Sequence, residues 1–165
     1  MKDDRGQISG EFIFLMGILI LLVMLSCVFI AGENELNIAM GAARSGVIGG
    51  IGESSTAMYS VDAYDDYDNS KSKLMHPYSV DIVNISYSEL GMDNNYGKNK
   101  IQFKVYAKAS KQYSKSELDS IGDRINYNLR KSLAICFNST SSTNKLYNPV
   151  FSPHYVFTTA NIKWV

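Results

Sequence analysis

Two histidines, two cysteines and a run of aspartates are the residues here whose chemistry could amount to catalysis or metal binding. None is spaced for it. His76 and His154 each adjoin a proline, with no second His or Cys at ligand spacing. Asp62, Asp65, Asp66 and Asp68 could offer oxygens to calcium, but an EF-hand loop needs alternate acids, a glycine and a distal Glu. That register is absent, and a solvated loop is the better reading. Serine is plentiful without a Gly-x-Ser-x-Gly elbow. The run Gly46-Val-Ile-Gly-Gly-Ile-Gly52 superficially resembles a phosphate loop, yet no strand precedes it and no Gly-Lys-Ser/Thr is present. These residues predict a chain that is not an enzyme and holds no metal and no cofactor.

The chemistry that this chain invites is done to it rather than by it. Gly6-Gln7-Ile8-Ser9-Gly10-Glu11 leads straight into Phe12–Ala31, twenty residues without a charge, in which only Ser26 is clearly polar. As a helix that run is about 30 Å long, the thickness of a bilayer's hydrocarbon core. An ordinary secretory signal has an apolar core of ~7–15 residues followed by its cleavage site. Here the plausible cut, between Gly6 and Gln7, precedes the run and leaves it on the mature chain. Lys2 and Arg5 lie before the run, Glu33 and Glu35 after it, and Arg44 is the first basic residue beyond. Basic residues favour the cytoplasmic side, so the N-terminus is expected inside and the remainder outside.

Gln7-x-Ser9-x-Glu11-x-x-x-Leu15, preceded by Gly6, resembles the class III signal sequence of archaeal type IV pilin-like proteins. The resemblance covers residues 6 to about 31, with weaker similarity in the helix that follows. It implies that a membrane-embedded prepilin peptidase of the aspartic type cuts before Gln7. Glu11 is then the fifth mature residue, where type IV pilins typically carry Glu. The partners implied are identical or related pilin subunits, the peptidase, and a pilus assembly platform with its ATPase. Gly10 departs from the pattern, since family members usually carry a larger residue there; it loosens the helix start without preventing the cut.

Glu11 has two readings. One is an acid at the membrane edge, costing about 1–3 kcal/mol in lipid, less than at the bilayer centre. A place in the first helical turn offsets part of that cost. The other is a polar contact to the N-terminus of a neighbouring subunit, registering one helix against the next. If the N-terminal Gln cyclises, the partner becomes a neutral N–H and the contact weakens.

Sixteen basic and sixteen acidic residues balance in a chain of 165, and fourteen of each remain after the leader. Nothing suggests a nucleic-acid surface. Eleven tyrosines fit either surfaces that pack on copies of themselves or ordinary sheet-forming positions. Cys27 lies in the apolar run and Cys136 far beyond it, so no intrachain bridge is expected. Cys136 reads as a buried thiol and Cys27 as a lipid-facing or interface residue.

Helical periodicity continues past Ala31, with Leu36, Met40, Ala43, Val47 and Ile51 on one face. The other positions are largely small (Ala39, Gly41, Ala42, Ser45, Gly46, Gly49, Gly50) and would let helices approach closely. A fray or bend is expected at Gly49-Gly50. The organisation is a leader over 1–6, a long helix over 7–52 with its membrane span at 12–31, a connector over 53–77, and a head over 78–165. In the head, Val80, Ile82, Ile85 and Tyr87 form a β-rich stretch, Asp93–Asn99 a turn, and Lys100–Lys108 a strand with Ile101, Phe103, Val105 and Ala107 inward. Ser114-Lys-Ser-Glu117 is a capping box opening a helix over 115–136, with Leu118, Ile121, Ile125, Leu129 and Leu133 on one stripe. Residues 149–165 supply one or two more strands. Asn84-Ile-Ser86 and Asn138-Ser-Thr140 are candidate glycosylation acceptors.

The fold class predicted is α+β: a long N-terminal hydrophobic helix of type IV pilin-like kind, then a small antiparallel-sheet head with one packed amphipathic helix. The function expected from the resemblance is a pilin. Such a subunit is membrane-held as a precursor, then built into an extracellular filament, with adhesion as its role. The alternatives are a single-pass anchored binding module that never polymerises, and a minor or priming pilin-like subunit.

Overall fold

The computed structural model describes residues 5–56, 80–110, 112–139 and 147–165, with the side chains of 5–9 and 53–56 outside that description. The leader residues 1–4, the aspartates from Asp62 to Asp68, His76 and Thr140 lie outside the described residues. Two units make up the chain, the first ending at Asn37 and the second running from Ile38 to Val165.

Helix α1 spans Arg5–Thr56 and passes from one unit into the other. In the first unit every side chain from Gly10 to Ala31 is exposed, including Phe12, Leu15, Leu22 and Phe29. Ser26, the one clearly polar residue of the run, turns its Oγ back to the Leu22 carbonyl at 2.9 Å. That bond satisfies the hydroxyl within the helix, so Ser26 turns no unpaired hydroxyl outward. Length and composition make this segment able to cross a membrane.

In the second unit, strands β1 (Val80–Asp93) and β2 (Lys98–Ala109) form a long antiparallel hairpin. Its turn is closed by Asp93, whose carbonyl accepts from Tyr96 and Gly97 and whose carboxylate accepts from Asn95 N–H. Gly97 sits at φ +62°, a conformation that favours glycine. Strand β2 alternates as its sequence demands, with Ile101, Phe103, Val105 and Ala107 buried. In β1 the inward residues Ile82 and Ile85 are three apart, which strict alternation forbids. A bulge at Val83 supplies the extra residue and returns Ile85, opposite Val105, to the core face.

Helix α2 (Lys115–Cys136) opens on the expected capping box, Ser114 Oγ accepting from Glu117 N–H and the Glu117 carboxylate from Ser114 N–H. Ile121, Ile125, Leu129 and Leu133 are buried, while Leu118 is half-exposed at the stripe's start. Strands β3 (Val150–Phe151), β4 (Tyr155–Thr159) and β5 (Lys163–Trp164) complete the sheet. Phe157 joins the core, stacked on Phe137 and tilted against Phe103.

The sheet expected to be antiparallel is mixed. After β2 the chain crosses through α2 before rejoining, so β4 and then β5 enter parallel to β2. The order is β1-β2-β4-β3, with β5 following β4 along β2. Ala160 N–H to Phe103 and Val165 N–H to Ala107 carry the backbone pairing along that edge.

Cys136 is exposed rather than buried. The residue four beyond Leu133 is Phe137, and it takes the inward place against Phe157, leaving Ile135 and Cys136 outside. The fray or bend expected at Gly49-Gly50 does not end the helix, which runs on to Thr56, past the expected bound at 52. Gly46 and Gly50 touch α2 so closely that a Cβ on Gly46 would lie 2.5 Å from the Asn128 carbonyl oxygen and 2.8 Å from Leu129 Cα. Packing of this kind outweighs the ~1 kcal/mol that each glycine withholds from a helix. The buried face of α1 in this unit is Ala39, Ala43, Gly46, Val47 and Gly50, with Met40 and Ile51 at its margin.

Candidate assembly helix and head surfaces

The residues expected to direct processing sit at the start of α1. Gly6, Gln7 and Ser9 are helical in backbone; Glu11 and Leu15 are exposed. Because the helix already begins at Arg5, Glu11 falls beyond the first turn of the uncut chain, and the first turn carries no acid. The favourable helix-end field therefore does not reach Glu11 in a helix that starts at Arg5. A cut at Gly6-Gln7 would bring it to within five residues of the new terminus.

The later part of α1 divides its small residues between two jobs. Ala39, Ala43, Gly46 and Gly50 are spent within the head. Gly41, Ser45 and Gly49 stay on the outer side, and a Cβ on Gly41 or Gly49 would meet nothing within 4 Å. Beside them, Arg44 and Ile48 face Ile82, Val83, Asn84 and Ile85 across a groove of about 410 Å³. Ile48 and Val83 expose more than half of their surface there.

The outer face of the sheet is polar. Lys104 Nζ donates to Ser88 Oγ at 2.7 Å, Lys100 pairs with Asp93 at 3.4 Å, and Lys163 lies 5.4 Å from the Tyr106 ring centre. These polar contacts keep the face wet. Tyr87 and Tyr155, both in strands, make ring contacts with Phe103 and Phe157, as the sheet-forming reading expects. Tyr96 in the hairpin turn instead meets Phe151, and Tyr127 on α2 meets Tyr147.

Asn84 lies exposed in β1, opposite Tyr106. Asn138 is exposed just past α2 at φ +46°, with its N–H bonded to the Ile135 carbonyl. His154 is exposed, and its carbonyl accepts from Asn99 N–H. Among the described residues no three His, Cys, Asp or Glu side chains gather as a metal site. Gly46–Gly52, the run that resembles a phosphate loop, is helical throughout. Arg130 is half-buried, with Nη1 donating to Thr159 Oγ1 at 2.6 Å; burial holds its guanidinium below the ordinary range, and Asp123 pulls it partly back.

Sequence reasoning missed the division of labour along α1, since it placed the small residues on a face apart from the packed one. Spacing offered a signal: Ala39, Ala43, Gly46 and Gly50 recur at four, three and four. Against family models, curated proteins and solved structures, the chain finds no match.

Proposed function

We propose that this chain is a structural subunit of a surface filament of the archaeal type IV pilin-like kind, made as a membrane precursor and cut between Gly6 and Gln7. The observation that carries the reading is the character of α1. One unbroken helix holds an apolar run, Phe12–Ala31, with no side covered, and then a stretch whose small residues seat it in a folded head. Such a run is tolerable in lipid and costly in water, so it leaves the bilayer only if neighbouring copies bury it. At about 1.5–3 kcal/mol for each large apolar side chain fully buried, a dozen of them would hold a fibre without covalent links. Glu11, just ahead of the run, would find its partner at the N-terminus of the next copy. The exposed Gly41, Ser45 and Gly49 would let neighbouring helices approach just beyond the membrane-length segment. Heads would coat the outside and make contact with surfaces.

Intact mass and N-terminal peptide mapping of the chain recovered from sheared extracellular fibres tests this. A chain starting at Gln7, or its cyclised form, in the sheared fraction is the expected result. A chain starting at Met1 and found only in detergent-solubilised membranes would make it a single-pass anchored module.

A further inference from the structure

A cavity of about 300 Å³ opens between α2 and the last strand of the head, in a part of the molecule that the helix-driven assembly does not use. Leu118, Ile162 and Trp164 are its apolar walls; Asp119, Asp123 and Asn126 are polar ones, with Asn161 beside them. Gly122 permits this closeness, for a Cβ there would stand 3.2 Å from Ile162 Cγ1.

Asn126 is only 6% exposed. Its Nδ2 donates to the Ala160 carbonyl at 3.0 Å, and that bond sets the amide, because turning it over would place oxygen against oxygen. Oδ1 is then a buried acceptor with no hydrogen bond. Asn126 thus forms part of the cavity wall while its Oδ1 is closed to solvent, and the acceptors open to an entering group are the two carboxylates. The two carboxylates stand one helical turn apart on α2, both exposed. Arg130 faces Asp123 electrostatically, whereas Asp119 has no ion pair among the described residues.

An entering group must therefore donate hydrogen bonds, carry positive charge and bring an apolar stem. Calcium fits poorly, because it wants six to eight oxygens and only two carboxylates are present. We infer that the cavity receives an alkylammonium group, the end of a lysine side chain supplied by a second copy of this chain. The source is argued from charge: Lys108 and Lys163 are exposed on the outer sheet face, Lys163 opposite Tyr106 and Lys108 two residues further along β2, with Asp81 across from it. Acceptor and donor surfaces differ, so the contact is head-to-tail and propagates instead of closing a pair. The occupant rests on the filament reading; the chemistry of the cavity does not.

Trp164 is the only tryptophan, so its emission reports on the cavity alone. The full chain in detergent micelles is titrated with butylammonium chloride, with butanol and sodium chloride as controls. A saturable change with butylammonium is expected, weakened about tenfold in D119N/D123N and retained in K108Q/K163Q. No saturable change, an equal response to butanol, an equal response in D119N/D123N, or a response to calcium chloride at lower concentration would each overturn the assignment. In fibres, D119K/D123K chains should fail to assemble alone and recover when mixed with K108E/K163E chains; assembly of D119K/D123K alone at the wild-type level overturns the occupant. Wild-type chains that form no fibre sink the filament reading by itself, since the micelle titration reads the cavity without assembly.

Discussion

Three glycines of α1 separate by what lies beside them. At Gly46 an added methyl would press on the α2 backbone, which has no flexible end to give way. Gly46→Ala should therefore destabilise the head by roughly 1–3 kcal/mol, the usual range for overpacking. Gly50 is less crowded, with Ile125 Cα at 3.0 Å, and Gly50→Ala should cost less because better helix propensity offsets part of the strain. Gly49→Ala meets nothing and should stabilise by about 0.5–1 kcal/mol. Thermal unfolding of the three variants in one detergent orders them; equal effects would refute the close crossing of α1 and α2. No count of apolar residues shows this order, since all three glycines look alike in the sequence and differ only in which neighbour the helix turns them toward. Glu11 belongs to the same scale. Glu11→Gln keeps size and polarity but removes the charge, so processing at Gly6-Gln7 should persist while fibre yield falls, as measured by mass and by the sheared fraction.

Elements were legible where local signals and tertiary needs agree. The Ser114–Glu117 box marks the start of α2 and forms as written. Ser114→Ala should cost about 1 kcal/mol, read by chemical unfolding. Leu129, fully buried in the middle of that helix, should cost about 2–5 kcal/mol as alanine. The alternation of β2 was equally plain. Strand direction was not, because no single segment records that β4 rejoins β2 after a crossover, and β3 and β5 are two residues each. Cys136 misled for a similar reason: at the end of a helix one residue of shift decides the face, and Phe137 was the better fit to the aromatic core.

For the whole molecule, the sequence speaks loudly about the apolar run and softly about the head. Composition and the Gly6–Leu15 spacing pointed to a membrane-held subunit, whereas the cavity beside Asn126 depends on Gly122 meeting Ile162, forty residues away along the chain. One further property follows from the irregular β1. Among the described residues it is an edge strand of fourteen residues, and a flat edge that long would recruit any extended chain it met. Val83 interrupts it near one end; Leu90 and Gly91, the latter at φ +80°, interrupt it near the other. Deleting Val83 would leave a smoother edge, and the altered chain should scatter light during purification where the natural one stays clear. The bulges thus guard this edge against pairing with other extended chains.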